Sequence, residues 1–189
     1  MSKKEEKIYK FMQLINKMKL VDRLSLVSKR GRRESDAEHT WHLIMFIWMY
    51  SYVYEHSINL LKAIKIGLVH DLVEIQSGDT YGQKRGSSNK KKENEKKAAQ
   101  KIFEALPPDI HKEMVYLWLE YEQRKTEEAK FVWALDKICP RFQLTITQKD
   151  LSENLPTNKL KSKKQETAIS KNSEVLKKLI SRISQERSD

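Results

Sequence analysis

Apolar residues recur at the three- and four-residue intervals of an α-helix along most of this 189-residue chain, and no stretch reads as strands joined by hairpin turns. Ile8, Phe11, Met12, Ile15 and Leu20 mark a first helix over residues 5–20. A second is expected over residues 37–55, with Ser35 or Asp36 as its cap and Glu38 in its first turn. Asn59 is placed to cap a third, which runs through His70-Asp71 and ends near Gln76, where Ser77-Gly78 breaks it. Residues 90–105 follow, with Ala98, Ala99, Ile102 and Leu106 inward. Pro107-Pro108 starts the next helix, carrying Ile110, Met114, Leu117 and Trp118. Thr126 begins one that holds Phe131, Val132, Leu135 and Ile138 and is kinked or restarted at Pro140. A tail over residues 165–185 presents Ile169, Val175, Leu176, Leu179, Ile180 and Ile183. Only 5 glycines and 4 prolines punctuate the chain, which favours helices over sheet. The expected fold is all-α, a bundle of about six or seven helices.

The length suits one domain over residues 1–150, followed by a linker and a C-terminal amphipathic helix within 151–189. Residues 77–90, rich in Gly and Ser, read as a loop of the length that is often functional. The net charge of +11 suggests an anionic partner. Much of that excess sits in NKKKENEKK (residues 89–97) and from Lys159 onward, and charge runs of this kind are usually solvated faces. A single cysteine, Cys139, rules out an internal disulfide and points to a reducing compartment. The start MSKKEEK lacks the apolar segment of a signal peptide. The run LIMFIWMYSYVY (residues 43–54) falls short of the roughly 20 residues that cross a bilayer. It reads as a buried helix of a cytoplasmic protein.

Four polar residues stand on core-forming helices. His39 begins a helix that soon turns apolar. His70 and Asp71 close one whose preceding residues are Ile66, Leu68 and Val69, and Asp136 is flanked by Leu135 and Ile138 in FVWALDKIC. Burying two unpaired carboxylates is very costly. A divalent cation resolves the cost, and two imidazoles with two carboxylates suit Mn, Co, Fe, Ni or Zn. Such a four-ligand shell leaves room for water and substrate. Each residue taken alone has a plainer reading: a cap or surface group for His39, an ion-pair partner of Lys137 or Arg141 for Asp136. The adjacent His70-Asp71 pair is harder to reduce, because neighbouring helical positions point about 100° apart and both need partners.

The segments AEH (37–39), HDLVEIQSGD (70–79) and ALDK (134–137) resemble the HD-domain metal-dependent phosphohydrolases. The similarity runs from about residue 10 to about 145 and is strongest to the branch of bacterial 5′-deoxynucleotidases and their eukaryotic relatives. The resemblance implies an all-α fold, a dimer, and one divalent ion held by His39, His70, Asp71 and Asp136. It implies a phosphomonoesterase acting on nucleoside 5′-monophosphates, in which the ion polarises a phosphoryl oxygen and acidifies a water. Glu74 matches the family's acid/base glutamate. Asp79 matches a position beside the nucleotide, where it accepts from the sugar 3′-hydroxyl, or else serves as a turn residue. Arg23 aligns with an arginine that grips phosphate through its two-pronged fork. The chain departs from the pattern here. Leu24 stands where the deoxynucleotidases have tryptophan, and the loop to His39 is one residue longer and carries KRGRRES. Arg32 and Arg33 are therefore alternative phosphate ligands.

His42 is expected behind the metal ligands or in packing, and His56 and His111 at the surface. Trp41, Trp48, Trp118 and Trp133 read as core or dimer seam. The alternative from another class is a nucleotide- or nucleic-acid-binding protein that uses the basic surface without turnover. On the leading reading, nucleic acid and membrane are not partners.

Overall fold

The computed structural model describes residues 1–27, 31–77, 88–147 and 163–186. In chain order these form α1 (Lys3–Ile15), a 3₁₀ turn (Asn16–Leu20), β1 (Asp22–Leu26), β2 (Arg33–Ser35), α2 (Asp36–Ser51), α3 (Leu60–Val69), α4 (Glu74–Ser77), α5 (Ser88–Phe103), α6 (Pro108–Gln123), α7 (Glu127–Thr147), α8 (Lys163–Asn172) and α9 (Glu174–Glu186). The all-α class is the one the periodicity predicts.

Local signals set most boundaries. Ser35 caps α2: its hydroxyl accepts from Glu38 N–H while Glu38 reaches back to the Ser35 N–H, satisfying two donors that the first helical turn leaves open. Asn59 caps α3 by accepting from Lys62 N–H at 3.0 Å. Pro108 opens α6, where its missing N–H costs nothing.

The centre of the bundle is α2 against α3 with both against α7, while α6 covers α3 and α7 and α5 lies outside α6. Leu43, Ile47, Ile66, Ile102, Phe103, Phe131, Leu135 and Ile138 are fully buried there. Each such side chain contributes about 1.5–3 kcal/mol by leaving water. Gly67 lets α2 and α3 approach: a Cβ on it would lie 2.7 Å from Ile47 Cδ1 and 2.9 Å from Ile44 Cδ1. The lysine-rich run lies on α5, whose inner face buries Ala98, Ala99, Ile102 and Phe103 while Lys96 and Lys97 stay exposed.

The structure departs from the sequence expectations in four places. First, β1 and β2 pair antiparallel, Asp22 opposite Ser35 and Leu26 opposite Arg33. This ribbon escaped the reading because its inward positions are polar: Arg23, Ser25 and Glu34 are buried while Leu24 is only half-buried. Second, α3 stops at Val69. The bonds Leu72 N–H to Val69 O, Glu74 N–H to Asp71 O and Gln76 N–H to Val73 O wind the chain more tightly before α4. Third, of the kink or restart expected at Pro140, the restart does not occur: α7 continues through it to Thr147. Fourth, the tail is two helices. Ser173 separates them and starts α9 by accepting from Leu176 N–H, while donating to Glu55 at 2.8 Å. Leu176, Ile180 and Ile183 of α9 are buried, and α9 packs on α7. Among the described residues no helix is long and apolar enough to cross a membrane. Asp79, most of the 77–90 loop and the 152–164 linker fall outside the described residues.

Candidate metal centre

His39 lies one turn into α2, His70 closes α3, Asp71 follows it, and Asp136 stands midway along α7. Because these three helices form the centre of the bundle, the four side chains meet in its interior. His39 is fully buried, His70 and Asp136 are 2% exposed, and Asp71 is half-buried. Each contributes one nitrogen or oxygen, and all four atoms lie within 4.8 Å of one another. His39 Nε2 is 3.0 Å from Asp136 Oδ1 and 4.0 Å from Asp71 Oδ2. His70 Nε2 is 2.9 Å from Asp71 Oδ2 and 3.7 Å from Asp136 Oδ1. Donors that share one ion at about 2.1 Å stand at most about 4.2 Å apart, a limit that these four separations meet, and the spread of up to 4.8 Å across the whole cluster has to draw in only slightly around a divalent cation.

The tautomer of His70 strengthens that fit. Its Nδ1 lies 2.8 Å from Gly67 O, a carbonyl that can only accept, so Nδ1 carries a proton. Nε2 of the neutral ring then offers a lone pair. It is buried, makes no well-formed hydrogen bond, and faces carboxylate oxygens that are also acceptors. Lone pairs meeting across 3 Å call for a cation, either a proton or a metal. Burial alone would depress the His70 pKa, but Asp71 and Asp136 outweigh it and push it up to about 10. His39 goes the other way: burial, then Arg23, push it down to about 4. Both carboxylates are ionised despite burial. His70 and Arg23 hold Asp71 far below the usual range, and Lys137 with the two imidazoles does so for Asp136.

Neighbouring groups orient the cluster. Arg23 Nη1 donates to Asp71 Oδ2 and to Asp36 Oδ1, each at 2.8 Å, and Arg23 Nε lies 3.8 Å from Glu34. Ser25 donates to Glu34. Burial works against the charge of Arg23, yet Asp71, Asp136 and Asp36 keep it firmly protonated. Tyr121 donates its hydroxyl to Asp136 Oδ2 at 2.5 Å, and Lys137 Nζ lies 2.6 Å from the same oxygen. His42 packs by its ring on Phe46 and Phe142, in keeping with a packing role. His56 is exposed and lies 3.0 Å from Asn172 O.

The structure thus brings His39, His70, Asp71 and Asp136 together and sets Arg23 against them. Glu74 is half-buried at the start of α4, one tight turn beyond Asp71. Arg33 is exposed, with Nη1 3.4 Å from Arg23 O. Arg32 is also exposed and gives its fork to Glu38 at 2.7 and 3.0 Å. Trp118 is buried, Trp133 half-buried, and Trp41 and Trp48 exposed. Sequence reasoning missed Asp36, Glu34 and Tyr121. A signal existed for two of them. Asp36 precedes His39 by three residues and so shares its helix face, and a tyrosine at a buried helical position needs a partner for its hydroxyl.

The chain is similar to human 5′-deoxynucleotidase HDDC2, with 30% identity over 182 residues covering 96% of this chain and 86% of that one. The mouse protein of the same name is 31% identical over 150 residues, 79% of this chain and 73% of that one. Among solved structures, one from Magnetospirillum magnetotacticum described as a predicted metal-dependent phosphohydrolase is 30% identical. It has a TM-score of 0.79 and covers 97% of this chain and 94% of that chain. A family model for the HD domain matches residues 15–177, a span that includes all four clustered side chains. The fold, the cluster and these likenesses agree: the chain belongs to the HD domain family.

Proposed function

We propose that this protein is a metal-dependent phosphohydrolase that releases phosphate from nucleoside 5′-monophosphates, deoxynucleotides among them. The observation that carries the reading is the buried His39, His70, Asp71, Asp136 centre with its cation-seeking His70 nitrogen. The likeness to the 5′-deoxynucleotidases supplies the substrate class. The donor set accepts Mn, Co, Fe, Ni or Zn. When bound there, such an ion supplies Lewis acidity toward a phosphoryl oxygen and lowers the pKa of a water.

The chain's own residues do the rest. Glu74 takes a proton from the attacking water as the new P–O bond forms. The bond from phosphorus to the 5′-oxygen breaks, and that oxygen leaves as the free nucleoside after taking the proton back from Glu74. Arg23, already seated beside Asp71, grips the phosphate, and Arg33 and Arg32 lie farther out on the ribbon. Asp79 accepts from the sugar 3′-hydroxyl. Residues 1–150 form the catalytic unit, and the C-terminal segment within 151–189 braces it through α9 on α7.

The same proposal includes a cytoplasmic homodimer. Its support is the stretch formed by α2 and the residues just after it, where residues 39–54 contain no Asp, Glu, Lys or Arg, and where Trp41 is 68% and Tyr52 75% exposed. A second copy would bring the same uncharged face.

The test is phosphate release from a panel of ribo- and deoxyribonucleoside monophosphates with added Mn or Co. Glu74→Gln is expected to lower kcat by about 10²–10⁴-fold while metal content stays that of the wild type. A folded, metal-loaded wild type that releases no more phosphate than Glu74→Gln on every substrate overturns the reading.

A further inference from the structure

We propose that Tyr121 is a positioning residue for the metal centre, holding two of its four ligands at once; the inference rests on the metal reading above. Its hydroxyl donates to Asp136 Oδ2 at 2.5 Å. Its ring stands edge-on to His70, with centroids 5.1 Å apart and planes at 63°. Tyr121 is 7% exposed and is carried by α6, a helix that supplies none of the four ligands.

An aspartate terminal torsion is soft, with broad wells that permit the carboxylate plane to swing. Asp136 Oδ1 is useful where it stands, 3.0 Å from His39 Nε2 and 3.7 Å from His70 Nε2. A donor fixed on Oδ2 selects that rotamer, and the same ring limits tilting of His70. Outer partners of this kind hold ligands in place, and their loss costs about 10–100-fold in metal affinity or activity.

Lys137 also approaches Asp136 Oδ2, at 2.6 Å, with its side chain 22% exposed. The two partners differ in sign. A phenol is neutral, so it orients the carboxylate and leaves its charge for a cation. An ammonium brings a positive charge that opposes a divalent ion at the same carboxylate. Removing the phenol therefore weakens metal binding, while removing the ammonium leaves it equal or tighter. Tyr121 touches no substrate in this scheme, so its loss is expected to lower kcat at limiting metal, with KM for nucleotide unchanged and kcat restored by excess metal.

The experiment titrates the full-length, metal-stripped wild type, Tyr121→Phe and Lys137→Met with Co(II), following the visible absorption bands, with thermal unfolding of each metal-free protein as the folding control. Tyr121→Phe is expected to bind Co(II) about 10–100-fold more weakly, with shifted bands. Lys137→Met is expected to bind as tightly as wild type or more so. Tyr121→Phe binding within about twofold of wild type with superimposable bands overturns the proposal, as does a Lys137→Met loss as large as that range. Should Tyr121→Phe not fold, Tyr121→Leu is titrated in its place: Co(II) binding weakened by about 10–100-fold supports the assignment, and binding within about twofold of wild type overturns it. A wild type that takes up no Co(II) removes the metal reading itself. One that binds while Tyr121→Phe binds equally removes only the role of Tyr121.

Discussion

Two neighbouring parts of the interior bury charge in opposite ways. On the ribbon, Arg23 carries a permanent positive charge into contact with Asp36 and Asp71, so that corner brings its own counter-charge along the chain. At the junction of α2, α3 and α7, atoms of His70, Asp71 and Asp136 face one another at 2.9 and 3.7 Å, and a cation between them, a proton or a metal ion, relieves the repulsion of their lone pairs. The first corner is a buried ion pair whose strength lies in having both partners present. The second is a set of donors whose carboxylates are held by Arg23, Tyr121 and Lys137 while the inner atoms face one another.

Substitutions can break or sharpen that contrast. The largest expected effect is Arg23→Met, which takes the guanidinium away from buried Asp36 and half-buried Asp71. The loss should be about 3–5 kcal/mol in urea unfolding. Adding Asp36→Val is expected to restore part of it, because removing both partners is far less costly than removing one. A double variant no more stable than Arg23→Met would mean that Asp36 is not the counter-charge. Next is Gly67→Ala, which drives a Cβ into Ile47 and Ile44 where α2 meets α3. Overpacking at this crossing should cost about 1–3 kcal/mol by the same measurement. An unchanged midpoint would show that the two helices can spread without harm to the core. Smallest is Arg32→Ala on the exposed outer end of the ribbon. Its unfolding curve and its KM for nucleotide are expected to match wild type, since Arg32 is bound to Glu38 at the surface. A raised KM would move the phosphate grip from Arg23 to Arg32.

The two regions also differ in how far they could be read. His70-Asp71 stood out because a polar pair follows Ile66, Leu68 and Val69 on a helix whose inner face is apolar. His39 and Asp136 stood out in the same way. The ribbon did not, because strand recognition looks for apolar residues at alternate positions, and here the inward alternates are Arg23 and Ser25. The tight turn after Val69 was also hidden, since its apolar residues Leu72 and Val73 suit a continuing helix equally well. Pro140 pointed to a kink or a restart, and α7 runs past it without restarting, buried from Phe131 to Arg141 along its inner face. Tertiary burial there outweighs one missing hydrogen bond.

What the amino-acid order determined unaided was the helical repeat, a cap at Ser35 or Asp36 and another at Asn59, and which polar residues sit on apolar faces. Those depend on contacts between residues close in the chain. What only the folded molecule decided was distance across the chain: that Asp136, 97 residues after His39, comes within hydrogen-bonding reach of it, and that Tyr121 closes on Asp136 and Arg23 on Asp71. Side-chain periodicity says which face turns inward. Which inward faces meet, and at what angle, is set by helix packing, and that is where a set of buried donors becomes a site.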